Sequence, residues 1–359
     1  MRTGSRVRFA RSGPPANHNK TFRIASIQVV LKDWNEEGAR REMRFPILKA
    51  SLAAALLLAA AVYPGQAQQT ENQGQGRALI TVIPKGKNAS APQLSQQNLS
   101  ITVGGKSANI TRLTPATGRN GALEMVVMLD SGASTSLGTQ MSDIKNFITS
   151  LPPDARVSLA WMQNGVAHLT GPLTTDHQAA LRGLHIPSGF AMEDASPYFC
   201  LSDLAKHWPS SDPNARREVV MISDGADYYY RSYDLNDPYV QAAITDSVRS
   251  GLTVYTIYWR NKGRFDRTWY ANDLGQNLML EVTQATGGNS YWEGMGNPVS
   301  LQPFFKDLDK RLGNQYEVGF VAPLQNKSRV LNMKVKTEGV SGAKIVAPQQ
   351  VYVGRTSMQ

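Results

Sequence analysis

The sequence predicts an α/β fold, a doubly wound and mostly parallel sheet flanked by helices, with a small β domain formed from the N- and C-terminal flanks. Within residues 118–313, short apolar runs alternate with amphipathic helical patterns, as in chains that build parallel sheets. Two of these runs, 123–130 and 218–223, are almost continuously apolar, which is typical of strands buried on both faces. The flanks, 78–117 and 314–359, contain strand patterns without helices between them and therefore predict the β domain.

The first half of the chain begins with short β segments and ends with two helices. Pro152-Pro153 ends the helix that follows strand 123–130. Asn164-Gly165 joins strand 156–163 to an antiparallel partner, because this dipeptide favours a hairpin turn. In chain order the predicted elements are strands 78–84, 99–103, 108–113 and 123–130, a helix up to Leu151, strands 156–163 and 166–173, and helices 176–184 and 196–208.

The second half repeats the alternation and then returns to strands. The helix after strand 218–223 stops at Gly251, a residue favoured just past helix C-termini. The last helix has apolar residues at helical spacing from Leu301 to Leu312. In chain order the predicted elements are strand 218–223, a helix ending at Gly251, strand 252–259, helix 278–286, strand 289–292, helix 301–312, and strands 315–321, 330–337 and 344–353.

The N-terminal segment has the pattern of a secretory signal. A basic stretch at 43–49 precedes an alanine- and leucine-rich run at 50–62, and Gly65-Gln66-Ala67 supplies small residues for cleavage. The apolar run is too short for a comfortable membrane span, so a retained membrane anchor is the lesser alternative. We therefore expect a secreted or periplasmic protein with no membrane span after cleavage. In chain order the parts are an over-long start at 1–42, a signal peptide at 43–67 and a flexible leader at 68–77.

Charge and cysteine content narrow the class of protein. The net charge is +10, but residues 1–49 hold eleven basic and four acidic residues and so account for +7 of it. The rest of the chain has no basic stripe with interleaved aromatics, so we expect no nucleic-acid partner. Cys200 is the single cysteine, which excludes an intramolecular disulfide, and its apolar neighbours predict a buried, inert thiol.

Two predicted strands end in an acidic residue, Asp130 after Leu129 and Asp224 after Ser223. Because the carboxyl ends of parallel strands meet at one edge of a sheet, both acids should lie where α/β folds bind ligands. Hydroxyl groups from the following loop and from the start of a helix could reach the same place. Carboxylate and hydroxyl oxygens suit hard cations such as Mg²⁺ or Mn²⁺. The candidate metal ligands are Asp130, Ser134, Ser196 and Asp224.

With these residues the chain resembles the von Willebrand factor type A (VWA) domain, and more specifically the VWFA-related proteins that bacteria secrete, over roughly residues 78–353. The family's metal-ion-dependent adhesion site has the pattern Asp-x-Ser-x-Ser after the first strand, a threonine in a middle loop and a later aspartate. Asp130, Ser134 and Asp224 match the first, last and later positions, and Ser196 stands in for the threonine. The resemblance implies a binding and adhesion module, not an enzyme, whose metal accepts an acidic residue of a protein or extracellular matrix ligand.

The chain departs from the family pattern at Gly132, where the family has serine. One hydroxyl is therefore missing from the implied set of metal ligands, and the Mg²⁺ or Mn²⁺ site is either functional or decayed. A decayed site would make the protein a structural or assembly component, and this alternative stays open.

The same motif permits a hydrolase interpretation. Residues 129–134, Leu-Asp-Ser-Gly-Ala-Ser, also resemble the active-site loop of retropepsin-like aspartic proteases, in which two aspartates share a proton and activate water. Such a protease needs two copies of the motif, so a chain with one copy would have to dimerise. That fold also continues with strands and a flap, whereas a helical pattern follows Ser134. A protease using Asp130 is therefore the lesser alternative.

Aromatic residues are concentrated in two predicted loops beside the metal site. One loop follows Asp224 directly, and the other, 260–277, follows the next strand. Tyr, Trp and Arg dominate protein interfaces, so these loops are candidates for contact with a partner. The alternative is that the aromatic side chains pack on one another and hold long loops in place. The candidate partner-binding residues are Tyr228, Tyr229, Tyr230, Arg231 and Trp269.

Overall fold

The computed structural model describes most of the chain from residue 73 to residue 355. The described ranges are 73–86, 89–117, 121–190, 193–230, 235–260, 269–294, 296–324 and 327–355, and for 269–272 they cover the backbone. The predicted N-terminal extension, the signal peptide and Arg231 lie outside the described residues. Across the described ranges, no helix is both long enough and apolar enough to cross a membrane.

Strands and helices alternate in the middle of the chain, and strands alone occupy both ends of the described part. The strands are β1 Gln73–Pro84, β2 Leu99–Val103, β3 Lys106–Pro115, β4 Leu123–Asp130, β5 Arg156–Gln163, β6 Val166–Leu169, β7 Arg216–Ser223, β8 Leu252–Tyr258, β9 Ser290–Tyr291, β10 Gln315–Pro323, β11 Arg329–Thr337, β12 Ala343–Val346 and β13 Gln350–Arg355. The α-helices are α1 Met141–Ser150, α2 His177–Ala180, α3 Pro197–Lys206, α4 Pro238–Ser250, α5 Trp269–Thr286 and α6 Gln302–Leu312. Short 3₁₀ turns lie at Gln96–Asn98, Thr135–Gln140 and Leu181–Gly183.

Six strands from the two ends of the chain close into an antiparallel barrel. Their order is β10-β3-β2-β11-β13-β1, and β1 pairs again with β10, from Gln73 opposite Pro323 to Thr81 opposite Gln315. Closure leaves none of the six with an open edge, which removes the unpaired backbone groups that make edge strands hazardous. β12 pairs with the last residues of β1, and a cluster of buried apolar side chains that includes Phe320 fills the barrel.

The middle of the chain forms a six-stranded sheet in the order β6-β5-β4-β7-β8-β9. Every neighbouring pair is parallel except β5 and β6, which are antiparallel. Helices cover both faces: α1 and α6 share one apolar core, in which Phe147 stacks on Phe305 with ring centroids 4.4 Å apart. α3, α4 and α5 share the core on the other face.

The predicted fold class is wrong for the molecule as a whole. A doubly wound α/β fold with a small β flank was expected, whereas the protein combines a closed six-stranded antiparallel barrel with a mixed sheet. Closure depends on the pairing of β1 with β10, which are distant in sequence. Periodicity shows which segments are strands but not which strands pair, so no local pattern could reveal the barrel.

Three element boundaries differ most from the sequence prediction. β1 begins at Gln73, inside the predicted flexible leader, because β10 and β13 provide hydrogen-bonding partners for its first residues. The strand predicted over 344–353 is two strands, β12 and β13, which pair with different parts of β1. The helix predicted over 278–286 begins at Trp269, and Gly275 lets its backbone approach the backbone of Asp224 closely.

The α/β part of the chain is inserted between two neighbouring barrel strands. The chain leaves the barrel after β3 and returns to it at β10, and these two strands pair directly, with Tyr316 opposite Pro115. The first and last residues of the insertion are therefore close together. An insertion of this kind leaves the ladder of the barrel intact.

A buried polar group joins the two parts where the chain returns to the barrel. Arg216, at the start of β7, donates to the carbonyl oxygen of Leu312 at 2.8 Å and to the side chain of Gln315. Its Nε lies 3.4 Å from Oε1 of Glu218, which is fully buried. Burial raises the pKa of Glu218, and the charge of Arg216 opposes that rise. This group ties the sheet to the end of α6 and the first residue of β10.

Candidate metal site

The candidate site lies at the point where the order of strand addition in the sheet reverses. From β4 the chain moves to β5 on one side, and β7 then adds on the other side of β4. β4 and β7 are parallel neighbours with Leu129 opposite Ile222, so the next residues, Asp130 and Ser223, meet at the carboxyl edge. The crevice at such a switch point is where open α/β sheets bind ligands.

Asp130 is fully buried at the end of β4. The backbone N–H of Gly132 donates to its Oδ1 at 2.7 Å, and the hydroxyl of Ser223 donates to its Oδ2 at 3.4 Å. One donor comes from the motif loop and the other from the neighbouring strand. The carboxylate is therefore fixed at the edge of the sheet, between the ends of β4 and β7.

Gly132 has no room for the serine that the family pattern places there. A Cβ atom on Gly132 would collide with the backbone carbonyl oxygen of Phe190. That part of the chain crosses directly over the motif, since the N–H of Ser188 donates to the carbonyl oxygen of Ser131 at 2.9 Å. The segment from Ile186 to Phe190 thus occupies the space of the missing side chain.

The two candidate serines both cap helical segments. Ser134 precedes the turn Thr135–Gln140, and its Oγ accepts from the N–H of Ser136 at 3.4 Å. Ser196 is fully buried before α3, and its Oγ accepts from the N–H of Tyr198 at 3.3 Å. A serine oxygen that accepts from a backbone N–H retains a second lone pair, so capping does not exclude a contact with a cation.

Asp224 follows β7 and is held by its own loop. Its Oδ1 accepts from the N–H of Ala226 at 3.0 Å, and its Oδ2 accepts from the hydroxyl of Tyr228 at 2.6 Å. Burial, and after it the charge of Asp224, raises the pKa of Tyr228 far above its usual range. Tyr228 therefore keeps its proton and remains a donor to Asp224.

Asp194 is a further acid at the site, and the sequence analysis missed it. Its side chain is fully buried, and neither carboxylate oxygen has a hydrogen-bond partner in the described part of the chain. Burial, followed by the charges of Asp130 and Asp224, raises the pKa of Asp194 well above its usual range. Its position two residues before Ser196 was the one available signal, and acids in loops are usually exposed, so the signal is weak.

Asp227 adds another carboxylate in the loop after β7. Its Oδ1 accepts from the N–H groups of Tyr229 and Tyr230, at 2.7 and 3.3 Å. Burial raises its pKa, and these two hydrogen bonds oppose the rise. Asp227 therefore adds a buried carboxyl group three residues after Asp224.

The predicted partner-binding residues have different environments. Tyr228 turns inward to Asp224, whereas Tyr229 is 58% exposed and packs edge-on against Phe199, with ring centroids 5.0 Å apart. Phe199 also contacts Tyr239, with centroids 4.7 Å apart. Tyr230 is half-buried, Arg231 lies outside the described residues, and Trp269 is described by its backbone as the first residue of α5.

The donors at this edge fit a divalent cation in their chemistry, although they do not surround one point in their present positions. No three His, Cys, Asp or Glu side chains among the described residues are close enough together to hold a metal ion. The available donors are nevertheless hard oxygens, and a fully buried carboxylate without a partner is a group that a cation would neutralise. Asp130, Ser134, Ser196 and Asp224 are the residues that would hold the ion.

The comparisons with known proteins found distant structural likenesses. No protein-family model and no curated protein sequence matched the chain. An aerotolerance-related membrane protein from Bacteroides fragilis is 15% identical, with a TM-score of 0.39 over 53% of this chain and 98% of that chain. A manganese-loaded TRAP protein from Plasmodium vivax is 14% identical, with a TM-score of 0.35 over 64% of this chain and 94% of that one. The SpRpn10 VWA domain is 10% identical, with a TM-score of 0.32 over 52% of this chain and 94% of that domain.

The α/β part of this chain has the alternation of strands and helices that the sequence resemblance to the VWA domain implied. Its first strand ends in Asp130, its motif loop leads through Ser134 into a helical segment, and a later parallel strand leads to Asp224.

Proposed function

We propose that this protein recognises a protein ligand at the carboxyl edge of its α/β sheet with the help of a divalent cation, Mg²⁺ or Mn²⁺. The observation that supports it best is the placement of Asp130 and Asp224 at the ends of two neighbouring strands, on either side of a switch point. When bound, the cation supplies a positive centre to which a partner's oxygen atom can bind.

Each group of residues has its own part in this proposal. Asp130 and Asp224 provide charge, and Ser134 and Ser196 provide hydroxyl groups. Tyr229 presents exposed aromatic surface next to the site, and Phe199 supports it from below. Aromatic side chains of this kind are the usual anchors of protein interfaces, so they would contribute affinity while the cation contributes specificity.

Thermal unfolding of the full chain tests the cation requirement. The unfolding midpoint would be measured in chelator and then with Mg²⁺, Mn²⁺ or Ca²⁺. A ligand that binds the folded state alone adds about 2.7 kcal/mol at 100 times its Kd, so the midpoint should rise. Asp130→Ala and Asp224→Ala should abolish the rise, whereas Asp154→Ala, which removes an exposed acid, should keep it. An unchanged midpoint with every ion would contradict the proposal.

A structural or assembly component without a working metal site is the second candidate. It is favoured by the carbonyl oxygen of Phe190, which fills the place of the missing serine, and by Tyr228, whose hydroxyl occupies one oxygen of Asp224. Under this alternative, a partner captured by the protein would bind equally well in chelator and with Asp130→Ala. Under the main proposal, both treatments would release the partner.

The aspartic protease alternative has no supporting observation at the site. Asp130 is fully buried, and the chain continues from its loop into the turn Thr135–Gln140 and α1, where a retropepsin-like fold would have strands and a flap. Pepstatin-sensitive cleavage of a peptide that is lost in Asp130→Ala would restore this alternative.

We also infer that the protein is exported, which the pattern of residues 43–67 supports. The N-terminus of the protein purified from its native source should then lie close to Gln68. Sequencing that N-terminus is the measurement, and a mature chain that retains residues 43–67 would contradict export by a cleaved signal.

A further inference from the structure

A cleft with a volume of about 610 Å³ lies between the outer wall of the barrel and the end of α4. Pro213 and Gly251, which precede β7 and β8, line it, so the cleft is at the amino edge of the α/β sheet. Three arginines, Arg77, Arg112 and Arg249, line it as well, and no acidic residue does so among the described residues. Clefts of roughly 300–1,000 Å³ are typical of small-molecule sites.

The register of the barrel places two of these arginines on either side of a glycine. Arg77 on β1 lies opposite Gly319 on β10, and Gly319 lies opposite Arg112 on β3. The next residues along two of these strands, Ala78 and Val318, belong to the core of the barrel, so the row of three faces outward. Because Gly319 has no side chain, backbone alone forms the floor between the two arginines.

The charge of these two arginines is compensated in part. Glu317 forms ion pairs with both Arg77 and Arg112, and Nη1 of Arg77 lies 3.9 Å from its Oε2. One carboxylate therefore serves two guanidinium groups, whose side chains keep 35% and 55% of their surface exposed. Asp212, in the loop before β7, pairs with Arg156 at 3.9 Å. Since each guanidinium group has five N–H donors, donors remain for a further acceptor.

Arg249 adds a third positive charge from the opposite wall, in the last turn of α4. Its side chain is exposed and forms no ion pair with another residue of the described ranges. The carbonyl oxygen of Ser250, at the negative end of the same helix, accepts from Arg217 at 3.4 Å. Three arginines against Glu317 leave the cleft with a net charge of +2.

We propose that this cleft binds a small organic anion that bears a phosphate or carboxylate group. The oxyanion would lie over Gly319, between Arg77 and Arg112, and Arg249 would approach it from the other wall. The planar fork of a guanidinium group matches the oxygens of phosphate and carboxylate alike. The cleft is far larger than either group, and Tyr352 supplies an aromatic surface for the rest of the molecule. The inference is independent of the proposed cation, which belongs to the opposite edge of the sheet.

Isothermal titration calorimetry of the full chain with inorganic phosphate, pyrophosphate and citrate tests this assignment. Low ionic strength is needed, because salt screens charges that are partly exposed. Arg112→Gln and Arg249→Gln should each weaken binding of the probe by about 10- to 100-fold, the usual effect of losing a hydrogen bond to a charged group. Arg182→Gln is the matched control, because it removes an exposed arginine that does not line the cleft, and it should leave the Kd unchanged.

A second variant tests the position of the anion without changing any charge. Gly319→Val would place two methyl groups on the floor between Arg77 and Arg112, so it should also weaken binding. Thermal unfolding without the probe reports whether this variant folds, and Gly319→Ala takes its place if it does not. Arg77 itself is left intact, because its Nη2 donates to the carbonyl oxygen of Ala215 at 3.3 Å and so connects the barrel to the insertion.

The outcomes separate the cleft from charge in general and identify the acidic group. Weakened binding in Arg112→Gln and Arg249→Gln, with an unchanged Kd in Arg182→Gln, supports the cleft. Binding of the phosphate probes alone assigns it to a phosphate ester, and binding of citrate alone assigns it to a carboxylate. No binding of any probe by the wild-type chain, or equal weakening in all three arginine variants, would overturn the proposal. Asp130→Ala should keep the wild-type Kd, so failure of the proposed cation site leaves this inference standing.

Discussion

At the scale of single residues, Gly132 shows how a family motif can be altered by a distant segment. The position lies in a buried loop, and the carbonyl oxygen of Phe190 fills the space that a side chain would need. Glycine is therefore required by packing in this chain. Position 132 therefore lacks a hydroxyl because the segment from Ile186 to Phe190 occupies the space that its side chain would need.

Gly132→Ser should therefore destabilise the protein and not restore a ligand. We expect a loss of about 1–3 kcal/mol, the usual effect of extra atoms in a packed interior. Urea unfolding would measure it, with Gly171→Ser as the control, because a Cβ atom on Gly171 meets no atom within 4 Å. The control should change stability by no more than about 0.5 kcal/mol. Wild-type stability in Gly132→Ser would mean that the segment around Phe190 gives way.

Tyr228 would compete with the proposed cation for one oxygen of Asp224, because its hydroxyl donates to Oδ2 at 2.6 Å. Tyr228→Phe should lower stability in chelator by about 1.5–3 kcal/mol, as expected for a hydrogen bond to a charged group. It should also tighten Mn²⁺ binding, since the carboxylate oxygen becomes available. Tyr229→Phe, at an exposed ring, is the matched control. An affinity unchanged or weakened in Tyr228→Phe would show that Asp224 does not bind the ion through this oxygen.

At the scale of elements, local spacing was sufficient for the strands of the α/β sheet. β5 runs from Arg156 to Gln163, as the apolar run predicts, and β4 ends at Asp130 as expected. Both strands are nearly continuous apolar runs, so their pattern does not depend on the rest of the molecule. α5 begins at Trp269, earlier than predicted. The prediction missed its first turns because they contain polar residues and a glycine and therefore lack an apolar stripe.

Glu218, the buried acid of β7, predicts that the stability of the fold depends on pH. Substitution of Glu218 should reduce this dependence. Burial raises the pKa of Glu218, so the folded chain keeps the proton to higher pH than the unfolded chain. As pH rises from the unfolded value, about 4.3, through the raised folded value, the unfolded chain releases its proton first and stability falls. Urea unfolding across this window should show a smaller fall in Glu218→Gln. Equal slopes in the two proteins would contradict the raised pKa.

At the scale of the whole molecule, the barrel and the inserted α/β domain share a buried junction. Arg216 reaches from β7 to the carbonyl oxygen of Leu312 and the side chain of Gln315, and so connects the sheet to the returning chain. The barrel also packs on the helical face, where Val330 and Tyr352 contact the core shared by α3, α4 and α5. We therefore expect the two parts to unfold in a single transition.

Arg216→Ala should separate the unfolding of the barrel from that of the insertion. Removing one partner of a buried ion pair leaves the other charge uncompensated, so we expect a loss of about 3–5 kcal/mol and separate transitions for barrel and insertion. Circular dichroism at wavelengths that report helix, followed together with hydrogen exchange at the amides of the barrel strands, would resolve them, because the α-helices lie in the insertion. Arg217→Ala, the next residue on the same strand, lies away from the junction, where its side chain bonds to Ser210, and should preserve one transition. Coincident curves in Arg216→Ala would show that other contacts join the parts.

The sequence by itself determined the strand and helix alternation and the acids at the ends of two strands. These features depend on the spacing of residues that are close along the chain. The tertiary structure decided the closure of the barrel through β1 and β10, the burial of Asp194, and the filled space beside Gly132. Each of these depends on segments that are distant in sequence, and burial and pairing between such segments arise when the whole chain has folded.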